Sequence, residues 1–224
     1  MLYAGGSSPL WIEGLSQRIG KNGTLTAIDL DAERLDEAED SLGEAELAAR
    51  VHLLVGDIFG VPFDPNTFDL LYSSGLFHEL DVKERTAQDA LAALRSVARS
   101  GGRVVTADFV DSEPAVQLED EELGAELRRE AYGSEAYGIG PPGRLISLHR
   151  ELFREVRWRY TPPQEIRHLW KLVLAEDEPA ALSSLPPEVA RRLREKRRAL
   201  RNRVLNEGYT RPATLCVEGL VGDV

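Results

Sequence analysis

Apolar residues in the first half of the chain fall into short blocks separated by helical spacings. Thr24-Leu-Thr-Ala-Ile-Asp29, Val51-His-Leu-Leu-Val55, Phe68-Asp-Leu-Leu-Tyr72 and Arg103-Val-Val-Thr-Ala-Asp-Phe109 read as strands. Between them, Leu10, Ile12, Leu15 and Ile19, with Trp11, mark a helix ending near Gly20. Leu35, Ala38 and Leu42 mark a second, with Asp31 as its N-cap. Ala87, Leu91, Leu94 and Val97 mark a third, closed by Ser100-Gly101-Gly102. Met1-Leu-Tyr-Ala4 is short for a strand but leads into the glycine turn Gly5-Gly6-Ser7-Ser8-Pro9. Strands alternating with helices over 110 residues imply right-handed βαβ crossovers and a mostly parallel sheet.

The pattern is less regular afterwards. Residues 111–130 hold eight acids against Arg128 and Arg129, the composition of a solvated helix face. A Gly/Pro/Tyr-rich loop runs from Tyr132 to Gly143, and Leu145, Leu148, Leu152 and Phe153 suggest a helix. Val156-Arg-Trp-Arg-Tyr160 alternates like a strand, and Thr214-Leu-Cys-Val-Glu-Gly-Leu-Val221 reads as the last one. The expected fold class is α/β: a Rossmann-like, doubly wound, mostly parallel seven-stranded sheet with a helical insertion before the last strand. One domain is expected, its core formed by residues 1–110, 144–161 and 211–224. Segments 111–143 and 162–210 would form a cap over the cleft.

Composition narrows the partners. At 224 residues, 42% hydrophobic and 29% charged, the chain has an ordinary globular composition. A net charge of −11 argues against the whole molecule binding nucleic acid, though a local basic patch stays open. The single cysteine, Cys216, excludes an internal disulfide, and no apolar run reaches membrane-spanning length. With no signal-peptide pattern at the N-terminus, a cytoplasmic location is expected. No paired His or Cys stands at metal-ligand spacing.

The chemistry gathers at strand ends. Asp29 closes one strand and Gly56-Asp57 follows the next, behind the turn at Gly5-Gly6. In open α/β sheets ligands occupy the crevice outside the strand carboxyl ends. A carboxylate there accepts from both ribose hydroxyls, while backbone N–H groups at the turn meet an anionic or polar end. Asp29 lies 23 positions past Gly6, close to the spacing of about 20 in a dinucleotide fold. The alternatives are a helix-capping role for Asp29 and a turn-stabilising one for Asp57.

In order and spacing these segments resemble the class I S-adenosylmethionine-dependent methyltransferases. Ala4-Gly5-Gly6-Ser7 looks like their first motif and Ala27-Ile-Asp-Leu-Asp31 like their second-strand motif. Val55-Gly-Asp-Ile58, Phe68-Asp-Leu-Leu-Tyr-Ser73 and Leu94-Arg-Ser-Val-Ala-Arg-Ser-Gly-Gly-Arg-Val-Val105 continue the series. Three features depart from it. Tyr3 stands where the family has an acid; Gly5, Ser7 and Pro9 stand in the places of its three glycines; and the chain opens at the strand itself. An open side to the pocket, a covering partner or homo-oligomer, or a late-assigned start would each account for the last.

The resemblance implies S-adenosyl-L-methionine as cofactor and methyl transfer to a small-molecule acceptor. Gly5, Gly6 and Ser7 would contact the methionine part and Asp29 the ribose diol. Leu30 would lie against the adenine face, Asp57 would accept from the adenine amino group and the Ile58 N–H would meet a ring nitrogen. Tyr72 and Ser73 would line the cleft near the transferred methyl. His78 could orient or deprotonate an acceptor, or be structural. His149 and His168 are weaker candidates, and His52 is expected within the third strand.

The Arg-rich stretch from Val189 to Leu205 would be a cover helix, with Leu193, Leu200 and Val204 as its seam, balancing the acids near residues 119–130. RNA as acceptor is the lesser alternative. A cofactor-binding module without turnover and a nicotinamide-dependent oxidoreductase are the rival functions.

Overall fold

A computed structural model describes residues 1–43, 45–60, 63–80, 86–110, 115–133, 142–165, 180–211 and 213–222. Among the described residues nine strands run in chain order: β1 (Leu2–Ala4), β2 (Thr24–Asp29), β3 (Arg50–Val55), β4 (Phe68–Ser74), β5 (Ala98–Phe109), β6 (Arg154–Thr161), β7 (Gln164–Glu165), β8 (Thr210–Arg211) and β9 (Thr214–Leu220). Among the described residues six α-helices are interleaved: α1 (Pro9–Ile19), α2 (Ala32–Leu42), α3 (Ala87–Val97), α4 (Ala115–Tyr132), α5 (Pro142–Leu152) and α6 (Pro187–Glu207). The central sheet has seven strands in the order β3-β2-β1-β4-β5-β9-β6. Its first five are parallel, and β9 enters antiparallel between β5 and β6.

The three-residue β1 is the pivot of this sheet. The chain builds outward through β2 and β3, returns across β1 and builds the other way through β4 and β5. Strand order therefore reverses between β1 and β4, and the crevice outside their carboxyl ends is where an open α/β sheet takes a ligand. All of β1 is buried, as a central strand covered on both faces must be. Tyr3, Leu25 and Ala27 pack with Ile12 of α1 and Ala38 and Leu42 of α2. Leu2, Leu71, Val104 and Val217 pack on the opposite side with Leu91 and Leu94 of α3 and Leu145 of α5.

Local rules account for most element ends. Asp31 caps α2, its carboxylate accepting from the Arg34 N–H at 3.1 Å. Thr86 caps α3 in the same way through the Asp89 N–H. The third helix ends at Val97, before the Ser100-Gly-Gly turn expected to close it. Gly101, at φ +71°, and Gly102 instead bend the first part of β5. A Cβ at Gly102 would stand 2.8 Å from the Arg99 carbonyl oxygen, so only glycine fits there.

The later segments fold against each other. Leu182, Leu185, Ala190 and Leu193 are buried against Leu123 and Leu127 of α4, and Leu200 and Val204 of α6 against Val116. The expected seam of α6 is thus the face it buries. Around it, Arg192 meets Glu126 at 3.1 Å and Glu130 at 2.9 Å, Lys196 meets Glu126 at 2.6 Å, and Arg203 meets Glu119. The basic run and the acidic run are two sides of one helix pair. At its foot, β7 and β8 form a two-residue antiparallel ladder. The loop expected from Tyr132 to Gly143 falls largely outside the described residues, as does His168.

Candidate functional site

A cavity of about 710 Å³ opens at the carboxyl edge of the sheet, where the strand order reverses. Its first end is built by the turn after β1 and the tips of β2 and β3. Gly5 takes a left-handed conformation at φ +67°, and a Cβ on it would stand 3.1 Å from Leu76 Cδ1. The turn exists because that position carries no side chain. Ser7 and Ser8 follow on the cavity wall and lead into α1, with Pro9 at the start of the helix. The first turn of α1 holds no acidic residue.

Asp29 and Asp57 both line this end. Backbone pairing fixes their relation, because Asp29 lies opposite Val55 in the β2–β3 ladder and the Gly56 N–H donates to the Asp29 carbonyl at 2.8 Å. One oxygen of each carboxylate accepts from a local peptide: Asp29 from the Asp31 N–H at 3.1 Å, Asp57 from the Phe59 N–H at 3.0 Å. The turn-forming role and the cavity-lining position therefore coincide in both residues. A carboxylate accepts at two oxygens, so a local bond orients it without exhausting it. Leu30, exposed for its size, and the buried Ile58 complete the floor, with Asp31, Arg34 and Phe59 at the rim.

The second end is made by Ser74 at the tip of β4, by Gly75, Leu76 and Leu80 after it, by Ala107, Asp108 and Phe109 at the end of β5, and by Thr214. Asp108 is 2% exposed. Its carboxylate accepts from the N–H groups of Phe77 (2.6 Å), His78 (3.3 Å) and Phe109 (2.7 Å), and stands 2.7 Å from His78 Nδ1. The short 3-10 helix Phe77–Glu79 is thereby tied to β5 through one buried acid.

Gly5, Ser7, Asp29, Leu30, Asp57 and Ile58 are thus together on one wall. Gly6, Tyr72, Ser73 and His78 are not among the described lining residues. The Gly6 N–H donates to the Ile28 carbonyl at 3.0 Å, and a Cβ there would stand 2.7 Å from the Tyr3 ring; it shapes the turn from behind. Tyr72 points to the α1 side, its ring 5.6 Å from that of Tyr3 and 5.7 Å from that of Trp11, and burial raises its phenol pKa. Ser73, one step along the pleat, is fully buried on the other face, so Ser74 is the residue that reaches the cavity. His78 lies behind Gly75.

Sequence reasoning passed over Asp108, Tyr3, Trp11 and Thr214. For Asp108 the signal was present, an acid at the end of an apolar strand in the manner of Asp29. His149 is the second buried imidazole. Its Nδ1 donates to the Leu145 carbonyl at 3.0 Å, Thr106 Oγ1 lies 3.3 Å from Nε2, and burial lowers its pKa to about 4. It stands on α5 and faces β5 in the core, and it does not line the cavity. His52 lies within β3, as expected.

A strand-reversal crevice, a glycine turn and two strand-tip acids on one wall define a nucleotide-type site in an α/β sheet. Residues 2–102, a little under half of the chain, match the family model described as the methyltransferase domain. Among its relatives, the ubiquinone/menaquinone biosynthesis C-methyltransferase of Stutzerimonas stutzeri is 28% identical over 152 residues, covering 67% of this chain and 53% of that protein. An O-methyltransferase of Penicillium expansum is 34% identical over 91 residues, 40% of this chain and 31% of that one. The chain spans about half the length of the first of these relatives and less of the second. The crystal structure of the YcgJ protein of Bacillus subtilis shares the fold, with a TM-score of 0.60 at 13% identity over 100% of this chain and 92% of that one.

Proposed function

We propose that the cavity binds S-adenosylmethionine and that the chain transfers its methyl group to a small-molecule acceptor. The observation that carries this reading is that Asp29 and Asp57, from two neighbouring strand tips, line one cavity with the Gly5 turn. The donor fits what these residues offer. Asp29 accepts from the ribose hydroxyls, and Asp57 with the Ile58 peptide meets the edge of the adenine. Leu30 gives the ring an apolar face. The turn at Gly5 to Ser8, at the start of an α-helix without an acid in its first turn, receives the carboxylate of the methionine part.

When bound, S-adenosylmethionine supplies a methyl group already activated on a sulfonium, so the protein's work is placement and exclusion of water. Leu76, Leu80, Ala107 and Phe109 at the second end surround an acceptor with apolar surface. The basic helix is read here as the partner of the acidic one. Arg192, Lys196 and Arg203 are engaged with carboxylates of α4, and no described residue of 115–133 or 180–211 lines the cavity.

Isothermal titration with S-adenosylhomocysteine tests the assignment. The expected result is one site per chain, lost or weakened by Asp29→Asn. Titration without heat or saturation, with the protein folded, overturns it. Release of S-adenosylhomocysteine in an acceptor screen separates turnover from binding alone.

A further inference from the structure

Parallel strands are stable when both faces of their sheet are covered. One face of this sheet meets that condition, with α3 and α5 packed over Leu71, Val104, Leu215 and Val217. The other is covered over only half its width, where α1 and α2 lie on β1, β2 and β3. Residues opposite each other across a ladder share a face, so Tyr72, Val105, Glu218 and Arg157 form one row on this second side. Ala107, Cys216 and Arg159 form the next row. Beyond Tyr72, no helix among the described residues packs on these rows. Val105, Ala107, Cys216 and Glu218 are accordingly half-buried, and Arg157 and Arg159 are exposed. The bare strip spans β5, β9 and β6, about 10–14 Å at the usual strand spacing, which is close to the width of one helix.

Beside the strip, α1 has an apolar flank with no cover of its own. Leu10 is 82% exposed and Trp11 43%, and with Gly14, Leu15 and Arg18 they line a shallow groove. The Trp11 ring lies 5.7 Å from that of Tyr72, so the flank and the strip are one surface. A helix face without a sheet thus adjoins a sheet face without a helix, and the charges divide along the same line. On the covered half, α2 carries the exposed acids Glu33, Asp36, Glu37 and Asp40. At the far border of the bare half, β6 carries Arg157 and Arg159. We propose that two copies of this chain pair about a two-fold axis on this side of the sheet, the α1 of each lying on the bare strip of the other. The rotation sets covered half over bare half in both directions, as an isologous contact requires. Two α1 helices then lie side by side between two sheets, with Leu10 and Gly14 of one copy against Val105 and Cys216 of the other. The acids of α2 fall beside the arginines of the second copy's β6. A chain of net charge −11 repels its own kind over most of its surface, and this side is where opposite signs meet. The pairing does not depend on what the cavity binds.

Sedimentation velocity of the full chain over about 1 to 100 µM, at physiological salt, tests the pairing. A dimer is expected in the wild type. Leu10→Arg and Gly14→Arg are each expected to leave a monomer with its circular dichroism and urea midpoint kept, because Leu10 is exposed and a Cβ at Gly14 has nothing within 4 Å. Arg157→Glu with Arg159→Glu is expected to weaken association by about tenfold or more, and adding Glu33→Lys and Glu37→Lys to recover most of that loss. A wild type that stays monomeric at about 100 µM overturns the proposal, whether or not this face takes up lipid vesicles or another protein. A dimer untouched by both Leu10→Arg and Gly14→Arg uses a different face and overturns it too. So does a charge reversal on β6 that costs nothing, or a loss that the reversal on α2 does not recover.

Discussion

Two sets of carboxylates occur in this molecule, and they are held in opposite ways. Asp29, Asp57 and Asp108, at or just past strand ends, are oriented by peptide N–H groups within reach of the cavity. Glu119, Glu126 and Glu130 on α4 are held by Arg and Lys side chains of α6, most of them half exposed. A backbone-held acid is aimed at low entropic cost, because the peptide group that holds it is already ordered. A side-chain pair on the surface spends its acceptors on a partner that must itself be immobilised, and its net worth is small. Acids of the first kind shape the cavity. Those of the second choose which helix packs on which.

On that contrast, the helix pair is held by its seam and not by its charges. Leu193→Ala, at a site 2% exposed, is expected to cost about 2–5 kcal/mol in urea unfolding, through the lost apolar contacts and the cavity left behind. A cost below that of any ion-pair variant would reverse the contrast.

The next effect is one of pH. His149 in the folded protein titrates near 4, against an ordinary value of 6.5, so below the upper value the unfolded chain takes up a proton that the native chain refuses. Its contribution to stability is complete above 6.5 and is lost as the pH falls towards 4, by roughly 3 kcal/mol. Urea midpoints measured across that window should slope downward in the wild type and lose this component in His149→Gln. An unchanged slope would show that the ring is not buried neutral.

Asp29→Asn and Asp57→Asn sharpen the other side of the comparison. Each should weaken S-adenosylhomocysteine by about 10- to 100-fold, the worth of a charge-assisted hydrogen bond, and change stability by under about 1 kcal/mol. A large loss of stability with unchanged affinity would make them turn residues only. The smallest effect belongs to Lys196→Ala. Lys196 donates to Glu126 and lowers that carboxyl's pKa, so the contribution exists above the carboxylate range and fades as acid protonates Glu126. We expect under about 1 kcal/mol, shrinking further in 1 M salt.

Much of this was legible in the chain itself, and the reasons are local. The apolar blocks ending in Asp29 and Val55 predicted β2 and β3 almost to the residue, and Asp31 was recognisable as a cap, because each depends on neighbours in sequence. At the end of β4 the pattern gave out. Leu71-Tyr72-Ser73-Ser74 has no further apolar residue to set the phase of the pleat, and the reading chose Tyr72 and Ser73 where Ser74 faces the cavity. Asp108 was passed over for a different reason. No glycine turn follows it, and its partner His78 lies 30 positions away, brought beside it only by the β4–β5 pairing. The Arg-rich helix could be assigned a seam but not a partner, since complementary charge says which surfaces match and not where they meet.

The two-residue clasp of β7 and β8 has a consequence for how the helix pair is anchored. It brings Glu165 opposite Thr210, so two points 45 positions apart in the chain stand a strand's spacing apart. The helix α6 enters this clasp from the Thr210 side with its buried seam on α4, so the ladder fixes where the helix pair joins the last strand.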